Sequence, residues 1–337
     1  MPFVKDILKY RSVSFVGMDK NAGKTEALNY VISRLHTLNK TIGVTSIGID
    51  GETLDQVTST SKPMVFIYPN TLFVTSEKLY EQKQIVSQIE KLSLYSSSLG
   101  RLVTARSLCF GNVMLSGPTS TLWLKELIKE ISESCDICLI DGALSRKSFA
   151  SPSITEAMIL STGAVISANI DTITNKTKFL YDMTKLPKVK NELKNKLSSI
   201  QQGIFAIKEE SEEIIDLNIP SLLMIDKYRD KLFGVSKTIY IAGMITDKLL
   251  EMILSSKNTG DYTLITKDFT HVFSSPLNTN RFLSQGGKIL CLYSTQLLAI
   301  TINPISPLGF KVDNQALLSS LRDAIPLPIY NIRDVSQ

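Results

Sequence analysis

Histidine is nearly missing: His36 and His271 are the only two among 337 residues, and neither has a motif partner nearby in sequence. Cysteine is sparse too, with Cys109, Cys135, Cys138 and Cys291 as the full set. Cys135 and Cys138 form a C-x-x-C, yet no second ligand pair accompanies them and they open the apolar run CDICLID. Buried thiols are therefore expected rather than metal or redox chemistry. No run of 18 apolar residues occurs, so no membrane partner is expected. The start MPFVKDILKYRS has no apolar core followed by a small-residue cleavage site; no secretory signal is expected, and the expected compartment is the cytoplasm. Neither sign of charge dominates. A net charge of +5 over the whole chain is too weak a bias to imply nucleic acid. What is abundant is apolar: 43% hydrophobic against 20% charged residues, enough for a sizeable core and against disorder.

The first half alternates short apolar strands with helical spacing. Strands are expected at 12–16, 41–49, 112–116, 137–140 and 164–168, with an edge hairpin of 65–68 and 72–75 turning at Pro69-Asn70. Helices are expected at 25–38, where Leu28, Val31, Ile32 and Leu35 recur on one face, and at 77–92 and 120–134. Strands without strict polar alternation suit a buried parallel sheet, and strand–helix alternation predicts a doubly wound α/β fold. A lysine-rich stretch, Lys185 to Lys196, reads as a helix with a wet face. Strands resume at 238–242, 262–265, 288–293, 297–302 and 327–332, with helices at 247–255 and 314–324. The expected division is a nucleotide-binding domain over 1–170 and a second α/β region, binding a partner or substrate, over 171–337.

The segment GMDKNAGKT, Gly17 to Thr25, sits between the first strand and the first helix. A strand-to-helix turn offers unpartnered helix N–H groups to one point, and a glycine there can adopt angles that a side chain forbids. Lys24 is positioned to reach the β- and γ-phosphates of ATP, and the Thr25 hydroxyl to reach Mg²⁺. Gly17, Asp19, Lys20, Asn21, Ala22, Gly23, Lys24, Thr25 and Glu26 are the expected nucleotide contacts; for Lys20, contact with phosphate and exposure to water stay equally open. Two acidic sites follow strand ends on the same rim of the sheet: Asp50-Gly51-Glu52, and Asp141 after ICLI. Asp141 and Asp50 are the candidate metal ligands beside Thr25, and Asp50 or Glu52 would position metal or attacking water. Arg146 lies in a basic loop. Gly117-Pro118 suits a helix start. Asn303-Pro304 and Ser306-Pro307-x-Gly309 form a rigid loop for which base recognition and partner docking both stay open. There is no Asn-Lys-x-Asp guanine signature.

The turn resembles that of the dethiobiotin synthetase family, G-x-D-x-x-x-G-K-T, carried here by Gly17, Asp19, Gly23, Lys24 and Thr25. That family has Glu-Gly-Ala where this chain has Asp141-Gly142-Ala143. Its lysine-proline segment in strand two, which holds the substrate, has no counterpart in VTSIGIDGE. GMDKNAGKT, TSIGIDGE, IDGALSRKSFASPSITEAMILSTGA and INPISPLGF together resemble the reactivase subunits associated with lysine and ornithine aminomutases, B12-dependent enzymes; the arginine expected in that family's TSIGRDGE is Ile49 here. This resemblance implies an ATPase acting on a partner protein, with ATP and Mg²⁺ as cofactors and a B12-dependent aminomutase as the partner. A small-molecule kinase or ligase and a non-catalytic nucleotide-sensing scaffold remain alternatives, and a homodimer stays open.

Overall fold

A computed structural model describes residues 3–47, 64–97, 99–118, 120–143, 154–208, 211–219, 222–256 and 258–335. In chain order the first elements are α1 (Val4–Ile7), β1 (Ser12–Gly17), α2 (Lys24–Thr37), β2 (Ile42–Ser46), β3 (Val65–Ile67), β4 (Leu72–Ser76), α3 (Glu77–Glu81), β5 (Ser87–Ser97), β6 (Gly100–Ser107) and β7 (Gly111–Val113). Next come α4 (Thr121–Ser132), β8 (Ile137–Ala143), β9 (Ala157–Gly163), α5 (Ile170–Thr184), α6 (Asn191–Ser198), β10 (Ile204–Ile207) and β11 (Ile214–Asp216). The chain ends through α7 (Arg229–Gly234), β12 (Thr238–Ile241), α8 (Asp247–Leu254), β13 (Thr263–Thr266), α9 (Pro276–Ser284), β14 (Lys288–Cys291), β15 (Gln296–Asn303), α10 (Asn314–Ala324), β16 (Ile329–Asn331) and α11 (Ile332–Val335). The fold is mixed α/β. Among the described residues, no helix is long and apolar enough to cross a membrane.

The chain forms two units, one built from residues up to 178 together with 295 onward, the other from 179–294. In the first unit nine strands make one sheet in the order β16-β15-β9-β1-β8-β2-β4-β6-β5. The seven from β16 to β4 run parallel, and the β6–β5 pair is antiparallel. Central strands buried on both faces read as continuous apolar runs, and β1 and β9 are buried at every position. Successive side chains alternate between faces. Ile137 and Leu139 join one core cluster with Ala27, Leu28, Val31, Ile32 and Leu35 of α2; Cys138 and Ile140 join another with Leu124, Leu127, Ile128 and Ile131 of α4. Each fully buried Leu or Ile contributes about 1.5–3 kcal/mol relative to an exposed one. The hydroxyl of Ser120 caps α4 by accepting from the Trp123 N–H at 3.3 Å.

The second unit is a five-stranded sheet, β11-β10-β12-β13-β14. The strands β12, β13 and β14 are parallel, and β10 is antiparallel to both its neighbours. Its core gathers Val189, Leu197, Ile207, Tyr240, Ala242, Ile265 and Leu292.

Several expectations are corrected. The second region does not run from 171 to 337, because β15 pairs with β9 and returns the C-terminal segment to the first sheet, leaving 179–294 as an insertion. The helix expected over 77–92 stops at Glu81, and residues 87–97 form the edge strand β5. Pairing with β6 overrides helix propensity there, and Leu92 and Leu94 are both exposed on this edge strand. The segments around Asn70 are not a hairpin: β3 pairs with β7 in a separate two-stranded sheet, whereas β4 lies between β2 and β6. The turn itself is real, with Asn70 at φ 69°, but it joins two sheets. The strand expected at 164–168 lies earlier, at Ala157–Gly163. The end of the strand expected at 41–49 falls outside the described residues.

Candidate functional site at the Gly17–Thr25 turn

The strand β1 is central, with β8 on one side and β9 on the other. Its carboxyl end leads into a turn that Gly23 closes at φ 93°, ψ 11° as the N-cap of α2. Those left-handed angles suit glycine, and no side chain caps the helix at that end. Asn21, also at positive φ (63°), bends the chain just before it. The turn is pinned by its neighbours: Met18 N–H donates to the Ser161 carbonyl of β9 at 2.9 Å, and Lys20 N–H donates to Asp19 Oδ1 at 2.7 Å. The result is a helix N-terminus with its partial positive charge presented beyond a glycine, at the carboxyl edge of a parallel sheet. This is a place suited to an anion.

Charge at the turn is concentrated in one pair. Lys24 Nζ lies 2.6 Å from Asp141 Oδ1, and their side chains are only 23% and 14% exposed. The two residues are 117 apart in sequence. They meet because β8 lies beside β1, with Asp141 in register with Phe15. Thr25 is buried, as is Ala22, whereas Asp19 and Lys20 are exposed. Glu26 is turned to the C-terminal segment, where it accepts from Arg333 Nε at 2.8 Å. Asp50, Glu52 and Arg146 lie outside the described residues. The structure thus brings Gly17, Asn21, Ala22, Gly23, Lys24, Thr25 and Asp141 to one rim, and directs Glu26 to another ion pair.

One contributor has no motif of its own at this position. Asn303, ending β15, donates from Nδ2 to the Asn21 carbonyl at 3.1 Å. The only sequence signal is the Asn-Pro at the start of a rigid loop; the contact spans 282 residues and leaves no local pattern. Among the described residues no group of three or more His, Cys, Asp or Glu could hold a metal ion. The Thr25 hydroxyl and the Asp141 carboxylate are oxygen donors at the turn, a hard set that suits Mg²⁺ sharing its remaining positions with water and phosphate, not a resident metal caged by protein.

The histidines and thiols sit elsewhere. In the second unit, buried Asp268 accepts from the Thr270 N–H at 2.9 Å and lies 3.2 Å from His271 Nδ1, an arrangement that caps a short turn. Burial pushes the Cys135 thiol up to about 11 and Cys138 well above the ordinary value, with Cys291 also raised by burial. Comparison with family models, with curated protein sequences and with solved structures finds no match.

Proposed function

We propose that this chain is a Mg-ATP-dependent P-loop ATPase of doubly wound α/β type that acts on a partner protein. One observation carries the reading: Lys24, the first residue of α2, and Asp141, near the carboxyl end of β8, meet at 2.6 Å beside an uncapped helix N-terminus entered through a left-handed glycine. The triphosphate would rest on the first amides of α2, with Lys24 leaving Asp141 for the phosphate oxygens. The released Asp141 carboxylate and the Thr25 hydroxyl would then hold Mg²⁺ or its waters. When bound, the ion neutralises charge on the β- and γ-phosphates. Catalysis of this kind is mostly positioning and electrostatics, so few residues suffice. The choice of a protein partner, a B12-dependent aminomutase, rests on the resemblance of GMDKNAGKT, TSIGIDGE and INPISPLGF to the reactivase subunits.

Phosphate release from Mg-ATP, with and without the aminomutase, tests the proposal. Turnover stimulated by that protein is the expected result, and Lys24→Ala should lower it by roughly a hundredfold or more. Unchanged hydrolysis in Lys24→Ala would refute the assignment. Turnover that needs an added small carboxylate or amine would point to a kinase or ligase, and tight binding without phosphate release to a nucleotide-sensing scaffold.

A further inference from the structure

We infer that Asn303 is a positioning residue for the nucleotide: it holds the Gly17–Thr25 turn in its phosphate-binding shape from the far end of the chain. The inference rests on the reading of that turn as the ATP site. Four observations converge on this one side chain. Its Nδ2 donates to the Asn21 carbonyl at 3.1 Å, bonding the turn at the residue whose φ is 63°. Its Cβ lies 3.2 Å from where a Cβ on Gly23 would stand, so the side chain packs directly on the N-cap of α2. Its backbone is locked: the Ala164 N–H donates to the Asn303 carbonyl at 2.9 Å, and a Cβ on Gly163 would lie only 1.9 Å from that carbonyl oxygen. Its Oδ1 accepts from the Ile305 N–H at 3.2 Å, which fixes the amide so that Nδ2 faces the turn.

The turn needs such a brace. Two left-handed residues within three positions, Asn21 and Gly23, give a conformation that costs free energy at asparagine and persists only when neighbours over-determine it. The turn's own bonds are few: Ala22 N–H to the Asp19 carbonyl is long, at 3.4 Å, and Asn21 Nδ2 is buried with no hydrogen-bond partner among the described residues. Asn303 supplies a donor to the Asn21–Ala22 peptide, in the middle of the stretch from the exposed Lys20 to Gly23. Without it, among the described residues only the long Ala22 N–H bond to the Asp19 carbonyl holds that peptide, and the aim of the amides that follow loosens.

Nδ2 and Oδ1 each already hold one bond within the chain, and the role assigned to this side chain is exerted through the turn. Loss of one such bond predicts a moderate, affinity-centred defect.

The test is equilibrium binding of Mg-ATP to the full chain, alongside turnover at saturating ATP, for Asn303→Ala, Asn303→Asp, Ser306→Ala and Lys24→Ala. Asn303→Ala should weaken binding roughly five- to tenfold and leave saturated turnover within about twofold, with the melting temperature lowered by no more than about 5 °C. Asn303→Asp should be worse than alanine near neutral pH, because a carboxylate then faces the Asn21 carbonyl. Its deficit relative to wild type should shrink as pH falls towards about 4, where a protonated acid donates again. Ser306→Ala removes the cap that the hydroxyl gives to the Leu308 N–H in the same loop without touching the turn, and should bind like wild type. Wild-type affinity in Asn303→Ala while Lys24→Ala has lost binding would overturn the Asn303 role alone. Ser306→Ala as weak as Asn303→Ala would overturn it too, by assigning the effect to the loop as a whole. Full affinity in both Asn303→Ala and Lys24→Ala would overturn this inference and the ATP site together.

Discussion

Replacing Asp141 with Asn separates two jobs of one carboxylate. Without nucleotide it neutralises Lys24; with nucleotide it is proposed to serve the metal. At the 2.6 Å separation the gross attraction is about 6 kcal/mol at an effective dielectric constant of about 20. Desolvation of both ions cancels most of that. The side chains are 23% and 14% exposed, between the surface limit of about 1 kcal/mol and the cost of about 3–5 kcal/mol for orphaning a buried charge. A loss of about 2 kcal/mol in the first unit is therefore expected, which lowers its melting temperature by about 4–8 °C. Adding Lys24→Met to Asp141→Asn should recover most of the loss, since no unpaired charge then remains. Nucleotide affinity should respond in the opposite sense when metal is removed. With a chelator present, Asp141→Asn should bind ATP at least as tightly as wild type, because a competitor for Lys24 and a repulsive charge have both gone. The gain in affinity on adding Mg²⁺ should shrink. Calorimetric melting of the nucleotide-free protein and ATP titrations with and without Mg²⁺ read both effects. Wild-type stability together with a wild-type Mg²⁺ titration would refute the reasoning at both steps.

Three further outcomes test the packing. Gly43→Ala in β2 should cost about 1–3 kcal/mol in denaturant unfolding, since its Cβ would lie 2.3 Å from Ile131 Cγ2 and 3.1 Å from Cys135 Sγ; a neutral substitution would show that α4 is free to shift away from the sheet. For the thiols, burial raises Cys135 from 9.0 to about 11, so the unfolded chain loses that proton first as pH rises. Stability from this group is full below the ordinary thiol value and is lost as pH climbs towards about 11. Unfolding free energy measured across that window should fall more steeply in wild type than in Cys135→Ala. Alkylation of the native protein near neutrality should label half-buried Cys109 and spare the three buried thiols.

Much of the framework was legible locally. The strand β1, the helix α2 and the place of the glycine turn between them could be read from neighbours in sequence: an apolar run, a 3.6-residue spacing, and a glycine able to take φ 93°. The apolar run before Asp141 showed β8 for the same reason, and the helix expected over 120–134 is α4, though its cap is Ser120 and not the Gly117-Pro118 pair. The stretch after Glu77 reads as a helix because a largely exposed edge strand presents the same mixed polarity as an exposed helix. Only pairing with β6 decides between them. The rim was legible as a set of candidates, yet Glu26 belongs to an ion pair with Arg333, a residue no local pattern connects to it.

By itself, the sequence determined which segments are strands or helices where periodicity is strong, and where a strand-to-helix turn offers bare amides beside a lysine. These are outcomes of nearest-neighbour sterics and side-chain spacing. Tertiary structure alone decided that 179–294 is an insertion, that Asp141 closes on Lys24, and that Asn303 reaches Asn21. Those contacts span 117 and 282 residues. They depend on the order in which parallel strands are laid into one sheet, which is set by the burial of whole faces and not by any short stretch of chain.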